Sequence, residues 1–279
     1  MRVLVVGANG FLGDRIASSL VARGDEVRGT VRGTTGANAL DLTDVDSCRR
    51  AIVGFAPTVV INAAGTGVTP GSADTTVMTA VNVSGALNLA RACAEGPRQP
   101  HLVHLASSTE PRLGSDPESR YSASKALGTA AVRELAADTG APISIARIHN
   151  VYGASQPPGR FIADLVTASS AGTSYEIHHP ERVRDFCLVD DAVAHIVRVA
   201  ETHVPGEFEI GTGIGTRLRE AAHLIAGRFG DPGAPVALFC EDLVDAAAVC
   251  VAGDGPEVFL RCPVHLDAGL EQMAREMAA

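Results

Sequence analysis

The stretch Arg2-Val-Leu-Val-Val-Gly-Ala-Asn-Gly-Phe-Leu-Gly13 decides the fold of this 279-residue chain. It opens on a β-branched run at residues 2–6, which is typical of a strand buried on both faces of a parallel sheet. Three glycines at GxxGxxG spacing follow, and apolar residues then recur at helical spacing as far as Val21. Glycines at such a turn let the backbone approach a pyrophosphate, whose charge the helix N-terminus stabilises. We therefore predict a dinucleotide-binding loop that contains Gly7, Asn9, Gly10, Phe11, Leu12 and Gly13.

The alternation of strand and helix continues beyond this loop. Further strands are predicted at residues 27–31, 59–61, 102–105 and 143–148, and helices at 77–94 and 121–137. This order predicts an α/β fold with a Rossmann-like doubly wound parallel sheet. We predict a dinucleotide-binding domain at residues 1–150, joined by part of 183–200, and a smaller C-terminal lobe at 151–279 that mainly binds substrate. Within that lobe helices are predicted at 161–167, 193–200, 218–229 and 266–277, with a break of small residues at 168–173.

Composition excludes several classes of protein. The formal net charge of -9 argues against a nucleic-acid partner, which would need a basic surface. No apolar run reaches the roughly 18 residues of a membrane span, so we expect no membrane association. The six cysteines include no CxxC pair, and we interpret them as reduced thiols of a cytoplasmic protein. The pair His178-His179 lacks companions at ligand spacing, so no metal site is predicted.

The residues after the second predicted strand bear on the choice of cofactor. NAD-binding loops of this kind usually place an acidic residue there, to accept hydrogen bonds from the ribose hydroxyls. This chain has Val31 and Arg32 instead. An arginine can pair with a 2′-phosphate, so we favour NADP(H) and keep NAD(H) as possible; a solvated surface arginine is the alternative interpretation. Asp41 and Leu42, which would end a third strand candidate, lie where a carboxylate could meet the adenine.

A second group of residues carries acid–base chemistry. Tyr121 and Lys125 are four positions apart on a predicted helix and so share one face, and Lys125 is the only lysine in the chain. A phenol ordinarily has a pKa near 10, and a neighbouring ammonium favours its ionised form. Ser108 and Thr109 follow a predicted strand, where a hydroxyl could hold a substrate oxygen. We predict Tyr121, Lys125 and Ser108 as catalytic residues and Thr109 as substrate-binding, although a strand cap and an unrelated lysine would also fit.

Eight blocks of sequence, taken together, resemble one family. They are GANGFLG, Asp41-Leu42, Asn62-Ala-Ala-Gly65, VNVSGALNLA around Asn82, Ser107-Ser108, YSASK, Arg147-Ile-His-Asn-Val-Tyr-Gly153 and Arg184-Asp-Phe-Cys-Leu-Val-Asp-Asp191. In this order they resemble the extended short-chain dehydrogenase/reductases of the nucleotide-sugar epimerase/dehydratase type. The resemblance extends over residues 1–230, and the last part of the chain matches only loosely.

The resemblance implies roles for the matching residues. Tyr121 would donate or accept the proton, Lys125 would tune it and bind the nicotinamide ribose, and Ser108 would orient the reacting oxygen. It implies that the cofactor is lined by Ala63, Ala64, Gly65, Asn82 and His149, and that the substrate pyrophosphate is held by Asn150 and Arg184. A packed position at a strand end is the alternative for His149. The resemblance also implies a homodimer that acts on a nucleotide sugar.

Two departures from the family pattern affect the predicted reaction. The serine block continues as Glu110-Pro-Arg-Leu-Gly114 and lacks the usual VYG, and the segment between Ser108 and Tyr121 is short. The shortened loop weakens the assignment of the sugar subsite. Thr109-Glu110 also supplies one acid where dehydratases have two, so dehydration is disfavoured, although Glu110 could still face the substrate.

These observations leave three functions open. We favour NADPH-dependent reduction of a keto group on a nucleotide-activated deoxysugar, by analogy a dTDP-4-keto-6-deoxyhexose. A ketoreductase releases its oxidised cofactor in each cycle and commonly uses NADPH, whose 2′-phosphate Arg32 could bind. The alternative is an NAD-dependent nucleotide-sugar 4-epimerase, which would use the same residues. A non-catalytic dinucleotide-sensing protein is disfavoured, since it would have no need of Tyr121 with Lys125.

Overall fold

The computed structural model describes residues 1–278 except 34, 70, 72, 112–116, 118, 231–236, 240–248 and 254–256, and only the backbone of 237–239 and 249. The strands are β1 Arg2–Val6, β2 Glu26–Thr30, β3 Val59–Asn62, β4 His101–Ser107, β5 Ile143–Ile148, β6 Asn150–Tyr152, β7 Tyr175–Ile177, β8 Val183–Leu188, β9 Gly206–Gly211, β10 Gly215–Arg217, β11 Ala237–Phe239, β12 Val249–Cys250 and β13 Val258–Arg261. The helices are α1 Phe11–Ala22, α2 Val45–Phe55, α3 Thr75–Met78, α4 Ala86–Glu95, α5 Arg120–Thr139, α6 Phe161–Ala171, α7 Val189–Thr202, α8 Leu218–Phe229 and α9 Leu266–Ala278. A 3-10 turn at Gly36–Asn38 and a π-helical segment at Thr79–Gly85 complete the described elements.

A seven-stranded sheet has the order β13-β9-β5-β4-β3-β1-β2. The registers of β2 with β1, β1 with β3, β3 with β4 and β4 with β5 are all parallel. This arrangement confirms the predicted Rossmann-like α/β fold. The chain leaves β1 to form β2 on one side and returns to form β3 on the other. Open α/β sheets bind ligands at the carboxyl ends of their strands beside such a reversal, which here falls between β1 and β3.

The chain forms two compact units, of which the first comprises Met1–Ile148 and Val193–Phe208. Residues 3–6 of β1 and all four residues of β3 are buried, as expected for a sheet covered on both faces. One core cluster packs β1, β3 and β4 against α2, α4 and α5, and includes Leu4, Val60, Leu89, Leu102 and Val132. Burial of such side chains contributes about 1.5–3 kcal/mol each, before the cost of ordering the chain.

Two predicted elements of the first unit differ in the structure, and one further helix was not predicted. No strand ends at Asp41: only an isolated bridge joins Val31 to Ala39, because Gly33 and Gly36 at φ 79° and 83° turn the chain between them. Helix α2 was not predicted, although Asp44 caps it by accepting a hydrogen bond from the Asp46 amide. The helix predicted at 77–94 is instead a succession of α3, the π-helical segment and α4.

The second unit comprises His149–Ala192 and Glu209–Ala279. In it β8 pairs with β6, β10 and β12, and β7 pairs with β11. A core cluster joins α6, α8 and α9 through Leu165, Ile225 and Leu270. The predicted break at 168–173 was wrong over 168–171, since α6 continues through these small residues and ends at Ala171, with Gly172 at φ 64° as its C-cap.

The structure also bears on the predicted absences. Of the helices in the described ranges, none has the length and apolarity needed to cross a bilayer. The described residues contain no group of three or more His, Cys, Asp or Glu side chains that could hold a metal ion, and His178 is exposed. Cys48, Cys93, Cys187 and Cys262 are buried free thiols, Cys250 is partly buried, and Cys240 lies outside the described residues.

Candidate active site

The glycine loop lies at the carboxyl end of β1, beside the reversal of strand order. Gly7 has a φ of 81°, and a Cβ there would lie 2.8 Å from the Cα of Ala64. A Cβ at Gly13 would lie 2.1 Å from the carbonyl oxygen of Gly7, so only glycine lets α1 start this close to the strand. Gly10 is the N-cap of α1, and no side chain caps the helix. The first turn therefore offers backbone N–H groups to an anion, and the loop fits a dinucleotide pyrophosphate.

The segment 63–66 forms the other side of this reversal. The Ala63 amide donates to the carbonyl of Val6, and the Ala64 amide donates to Asn62 Oδ1 at 3.3 Å. Asn82, buried in the π-helical segment, clamps the segment by accepting from the Thr66 amide and donating to the Thr66 carbonyl, each at 2.9 Å. Its amide also donates to Ser124 Oγ at 2.9 Å. Asn82 thus ties the Ala63-Ala64-Gly65 segment to the residue that precedes Lys125.

Helix α5 carries the tyrosine and the lysine. Ser119 caps it by accepting a hydrogen bond from the Ser122 amide at 3.1 Å. Tyr121 is partly exposed in the first turn, whereas Lys125 is 5% exposed and its Nζ donates to the Leu105 carbonyl at 2.7 Å. Burial lowers the pKa of Lys125, and the charge of Glu110 opposes that shift. The Leu105 contact brings Lys125 to the strand that ends just before Ser108.

The serine turn after β4 is held by its own hydrogen bonds. The Ser108 amide donates to the Ile148 carbonyl at 2.9 Å, and Ser107 Oγ lies 2.9 Å from Thr109 Oγ1. Ser108 and Thr109 are both partly exposed. The structure thus brings Ser108, Lys125 and the first turn of α5 to the carboxyl end of β4.

Glu110 does not face a substrate. Its side chain is 2% exposed and turns inward, where Oε1 accepts from the Ser107 amide at 2.8 Å and from Thr129 Oγ1 at 3.1 Å. The expectation that Glu110 could face the substrate was wrong, because buried donors on the inner side of the turn form hydrogen bonds with its carboxylate. Residues 112–114 of the shortened loop lie outside the described residues, so the prediction about the sugar subsite stays a prediction.

The residues predicted to meet the adenosine end are less constrained. Arg32 is exposed directly after β2, and within the described part of the chain no hydrogen bond or ion pair engages it. Asp41 Oδ1 accepts from the amide and the hydroxyl of Thr43, at 2.9 and 2.7 Å, so this carboxylate stabilises its own turn. Leu42 is buried in the core, where a Cβ at Gly85 would lie 2.8 Å from it. Their roles as cofactor ligands stay predictions.

Three predicted site residues lie in the second unit. His149 is 3% exposed, and its Nε2 is 2.9 Å from Glu209 Oε1. Burial lowers the pKa of His149, but hydrogen bonds with Cys250 and Glu209 outweigh burial and raise it to about 9. Asn150 Nδ2 donates to the Asp185 carbonyl at 3.2 Å, and the largely buried Arg184 donates to the Val183 carbonyl at 3.0 Å. His149 is therefore packed at a strand end, while cofactor or substrate contacts of these three residues stay predictions.

A set of buried polar side chains beneath the first unit's site was missed by sequence reasoning. They are Asn62 on β3, His104 on β4, Thr129 on α5 and Arg147 on β5. Asn62 and His104 are register partners on adjacent strands, and Thr129 is one turn beyond Lys125. Polar residues inside otherwise apolar strands were the available signal, because a buried polar group needs a partner.

The sequence and the fold are similar to those of known proteins. The sequence profile of the NAD dependent epimerase/dehydratase family matches residues 3–211. UDP-glucose 4-epimerase of Mycolicibacterium smegmatis is 28% identical over 267 residues, which cover 84% of this chain and 85% of that protein. dTDP-L-rhamnose 4-epimerase of Burkholderia thailandensis is 31% identical over 142 residues, 47% of this chain and 37% of that protein. The crystal structure of Thermus thermophilus UDP-glucose 4-epimerase in complex with NAD is 25% identical, with a TM-score of 0.79 over 100% of this chain and 99% of that chain.

Proposed function

Because the chain belongs to the NAD-dependent epimerase/dehydratase family, we propose that it is a nucleotide-sugar 4-epimerase that retains a nicotinamide dinucleotide. The observation that carries the proposal is the hydrogen bond from Lys125 Nζ to the Leu105 carbonyl. Lys125 lies one helical turn after Tyr121 on α5, and Leu105 lies three residues before Ser108. The sequence by itself favoured ketoreduction. The similarity to a UDP-glucose 4-epimerase over 84% of this chain favours the alternative.

In this proposal each side chain of the site has one task. Tyr121 takes the proton of the sugar C4 hydroxyl and later returns it, and the Lys125 ammonium stabilises the phenolate in between. The Ser108 hydroxyl holds the C4 oxygen while it changes from alcohol to carbonyl. A bound nicotinamide would supply the reversible hydride transfer at C4 through which this carbon is inverted. The backbone N–H groups of the loop at Gly7–Gly13 hold the pyrophosphate of the dinucleotide.

A ketoreductase that uses NADPH is the second candidate, and Arg32 is the observation that favours it. Its exposed guanidinium follows β2 directly, where a 2′-phosphate could pair with it. An epimerase regenerates its cofactor in each cycle, whereas a reductase consumes it. The two candidates therefore differ in their requirement for added cofactor.

The cofactor that copurifies with the protein tests these proposals. The purified chain is denatured, and the released dinucleotide is identified as NAD or NADP. A second sample is incubated with UDP-glucose, UDP-galactose and dTDP-hexoses without added cofactor. We expect bound NAD and conversion between C4 epimers. An empty protein that oxidises added NADPH only with a 4-keto sugar nucleotide would replace the epimerase with the ketoreductase.

Three further expectations are carried as proposals. The second unit would bind the nucleotide sugar, with Asn150 and Arg184 at its pyrophosphate. A homodimer would pack through the helices predicted at 77–94 and 121–137, and the protein would act in the cytoplasm. The similarity to a UDP-glucose 4-epimerase over 84% of this chain supports the nucleotide-sugar substrate class.

A further inference from the structure

A buried carboxylate lies beneath the serine turn. Glu110 accepts from the Ser107 amide and the Thr129 hydroxyl through Oε1, and its Oε2 is 3.6 Å from Nη1 of Arg147. The partners come from the turn itself, from α5 and from β5. A carboxylate on a side chain that is 2% exposed persists only when charged and polar groups compensate its lost hydration. The chain therefore uses three elements to hold this one side chain.

A chain of donors runs toward Glu110 from the cofactor side of the sheet. Asn62 Oδ1 accepts from the Ala64 amide, which leaves Asn62 Nδ2 to donate to His104 Nδ1 at 3.2 Å. Burial holds the pKa of His104 well below its usual value, so the ring is neutral. Because Nδ1 accepts from Asn62, the single ring proton resides on Nε2. That Nε2 is 3.4 Å from Thr129 Oγ1 and donates to it, which leaves the hydroxyl proton for Glu110. This assignment of protons makes Glu110 the accepting end of the chain, as a carboxylate.

Arg147 and Glu110 together fix the turn that presents Ser108. Arg147 Nη1 donates to the Ser107 carbonyl at 2.8 Å, while Glu110 accepts from the Ser107 amide. Both backbone polar groups of Ser107 are therefore held by the same buried pair. The Ser108 amide is anchored in turn on the Ile148 carbonyl. Movement of Glu110 would release the peptide groups that orient the Ser108 hydroxyl.

Lys125 also lies within the field of Glu110. Within the described residues, the charge of Lys125 acts on His104 of β4, and the charge of Glu110 acts on Lys125. Tyr121 lies one turn before Lys125 on the same helix, and Arg147 pairs with Glu110. Glu110 accepts from the Thr129 hydroxyl, one helical turn beyond Lys125 on α5, and from there its charge raises the pKa of Lys125 against the effect of burial. Because burial disfavours an ammonium, a facing carboxylate favours the charged form that the phenol of Tyr121 requires.

We propose that Glu110 is a positioning residue, whose buried carboxylate fixes the Ser107–Ser108 turn and serves as the counter-charge of the Lys125 ammonium. The inference deepens the proposed function and rests on it for the catalytic consequence. Glu110 itself touches neither substrate nor cofactor in this assignment. Its effect reaches the chemistry through Ser108 and Lys125.

The single lysine of the chain allows a direct test that needs no substrate. In protein labelled with [ε-¹³C]lysine, Lys125 gives the only side-chain signal, and its chemical shift reports its protonation as pH is raised. We expect Glu110→Gln to move the midpoint of this titration to lower pH, because burial then acts without its counter-charge. An unchanged midpoint would overturn the inference. The control is Glu207→Gln, which removes a carboxylate paired with Arg133 at 2.9 Å in the same unit and should leave the midpoint in place.

A second pair of variants tests the positioning role and serves also if Glu110→Gln does not fold. Thr129→Val removes the hydroxyl that donates to Glu110, while Thr129→Ser retains it. In the valine variant we expect kcat to fall about 10-fold or more, KM to change little and the Lys125 midpoint to shift. In the serine variant kcat and the Lys125 midpoint should return to their wild-type values. Equal kcat and equal midpoints in the two variants would overturn the inference. A shifted midpoint in a protein without epimerase activity would refute the proposed function and leave the counter-charge standing.

Discussion

The phenol of Tyr121 is the single side chain on which the proposed chemistry depends most. Tyr121→Phe removes only the hydroxyl, so we expect cofactor binding to persist while kcat falls at least about 100-fold, the usual scale of general acid–base catalysis. Turnover is measured on sugar nucleotides, and cofactor retention is measured in the denatured protein. Near-normal turnover in a folded variant would rule out Tyr121 as the proton carrier.

At the scale of single residues, the sequence predicted which helix carries a side chain but not where that side chain points. The spacing of Tyr121 and Lys125 placed both on one helix, and the structure has them on α5. The inward turn of Glu110 could not be predicted, because its partners come from the turn, from Thr129 on α5 and from Arg147 on β5. Such orientation depends on three elements that are distant in sequence. Local pattern carries no information about it.

The β1–α1 junction depends on close backbone approach. A Cβ at Gly13 would lie 2.1 Å from the Gly7 carbonyl oxygen, and neither backbone can yield without moving the loop. We expect Gly13→Ala to weaken cofactor binding at least about 10-fold and to lower the free energy of unfolding by about 1–3 kcal/mol, the usual cost of overpacking. Equilibrium dialysis and denaturant unfolding measure the two effects.

Gly54→Ala is the matched control for this junction. Gly54 lies within α2, and a Cβ there meets nothing within 4 Å. Alanine at an open helical position should leave the free energy of unfolding unchanged or raise it by up to about 1 kcal/mol, with cofactor binding intact. Equal effects of the two substitutions would show that close approach at Gly13 is not what the loop requires.

Elements with strong periodicity were predicted well, and the failures have physical causes. Strand β5 and helix α8 have the predicted bounds, because each is a continuous apolar or amphipathic run. The strand expected before Asp41 failed because turning glycines limit it to one bridge. Helix α2 was not predicted because the glycines and polar residues before it are typical of a loop. The capping residue Asp44 does not stand out among them.

The stability of the whole molecule should depend on pH through the buried pair His149–Glu209. The pKa of His149 is raised to about 9 in the folded state, against about 6.5 for an unperturbed histidine. A group with a raised folded pKa contributes stability that is fully present below the unfolded pKa and lost as pH rises through the folded pKa. We expect the free energy of unfolding to lose this contribution between about pH 6.5 and pH 9. Denaturant titrations at several pH values measure it.

His149→Gln is the reference for this pH dependence. Glutamine can still donate to Glu209 but does not titrate, so the variant should lack the contribution that wild type loses across this range. Subtraction of the two profiles removes the effects of other groups, including Lys125, whose lowered pKa has the opposite sign. Identical profiles for the two proteins would exclude His149 as the source.

The reaction proposed for the whole molecule is an inversion at C4 that regenerates the dinucleotide in every cycle. The measurement that tests it most directly follows the hydrogen at C4 in sugar nucleotides deuterated at that carbon, with the protein as purified. We predict inversion at C4 with the deuterium retained there, because the hydride leaves and returns within the protein without meeting solvent. Loss of the deuterium to water, or no inversion by folded protein that holds its dinucleotide, would contradict the proposed reaction.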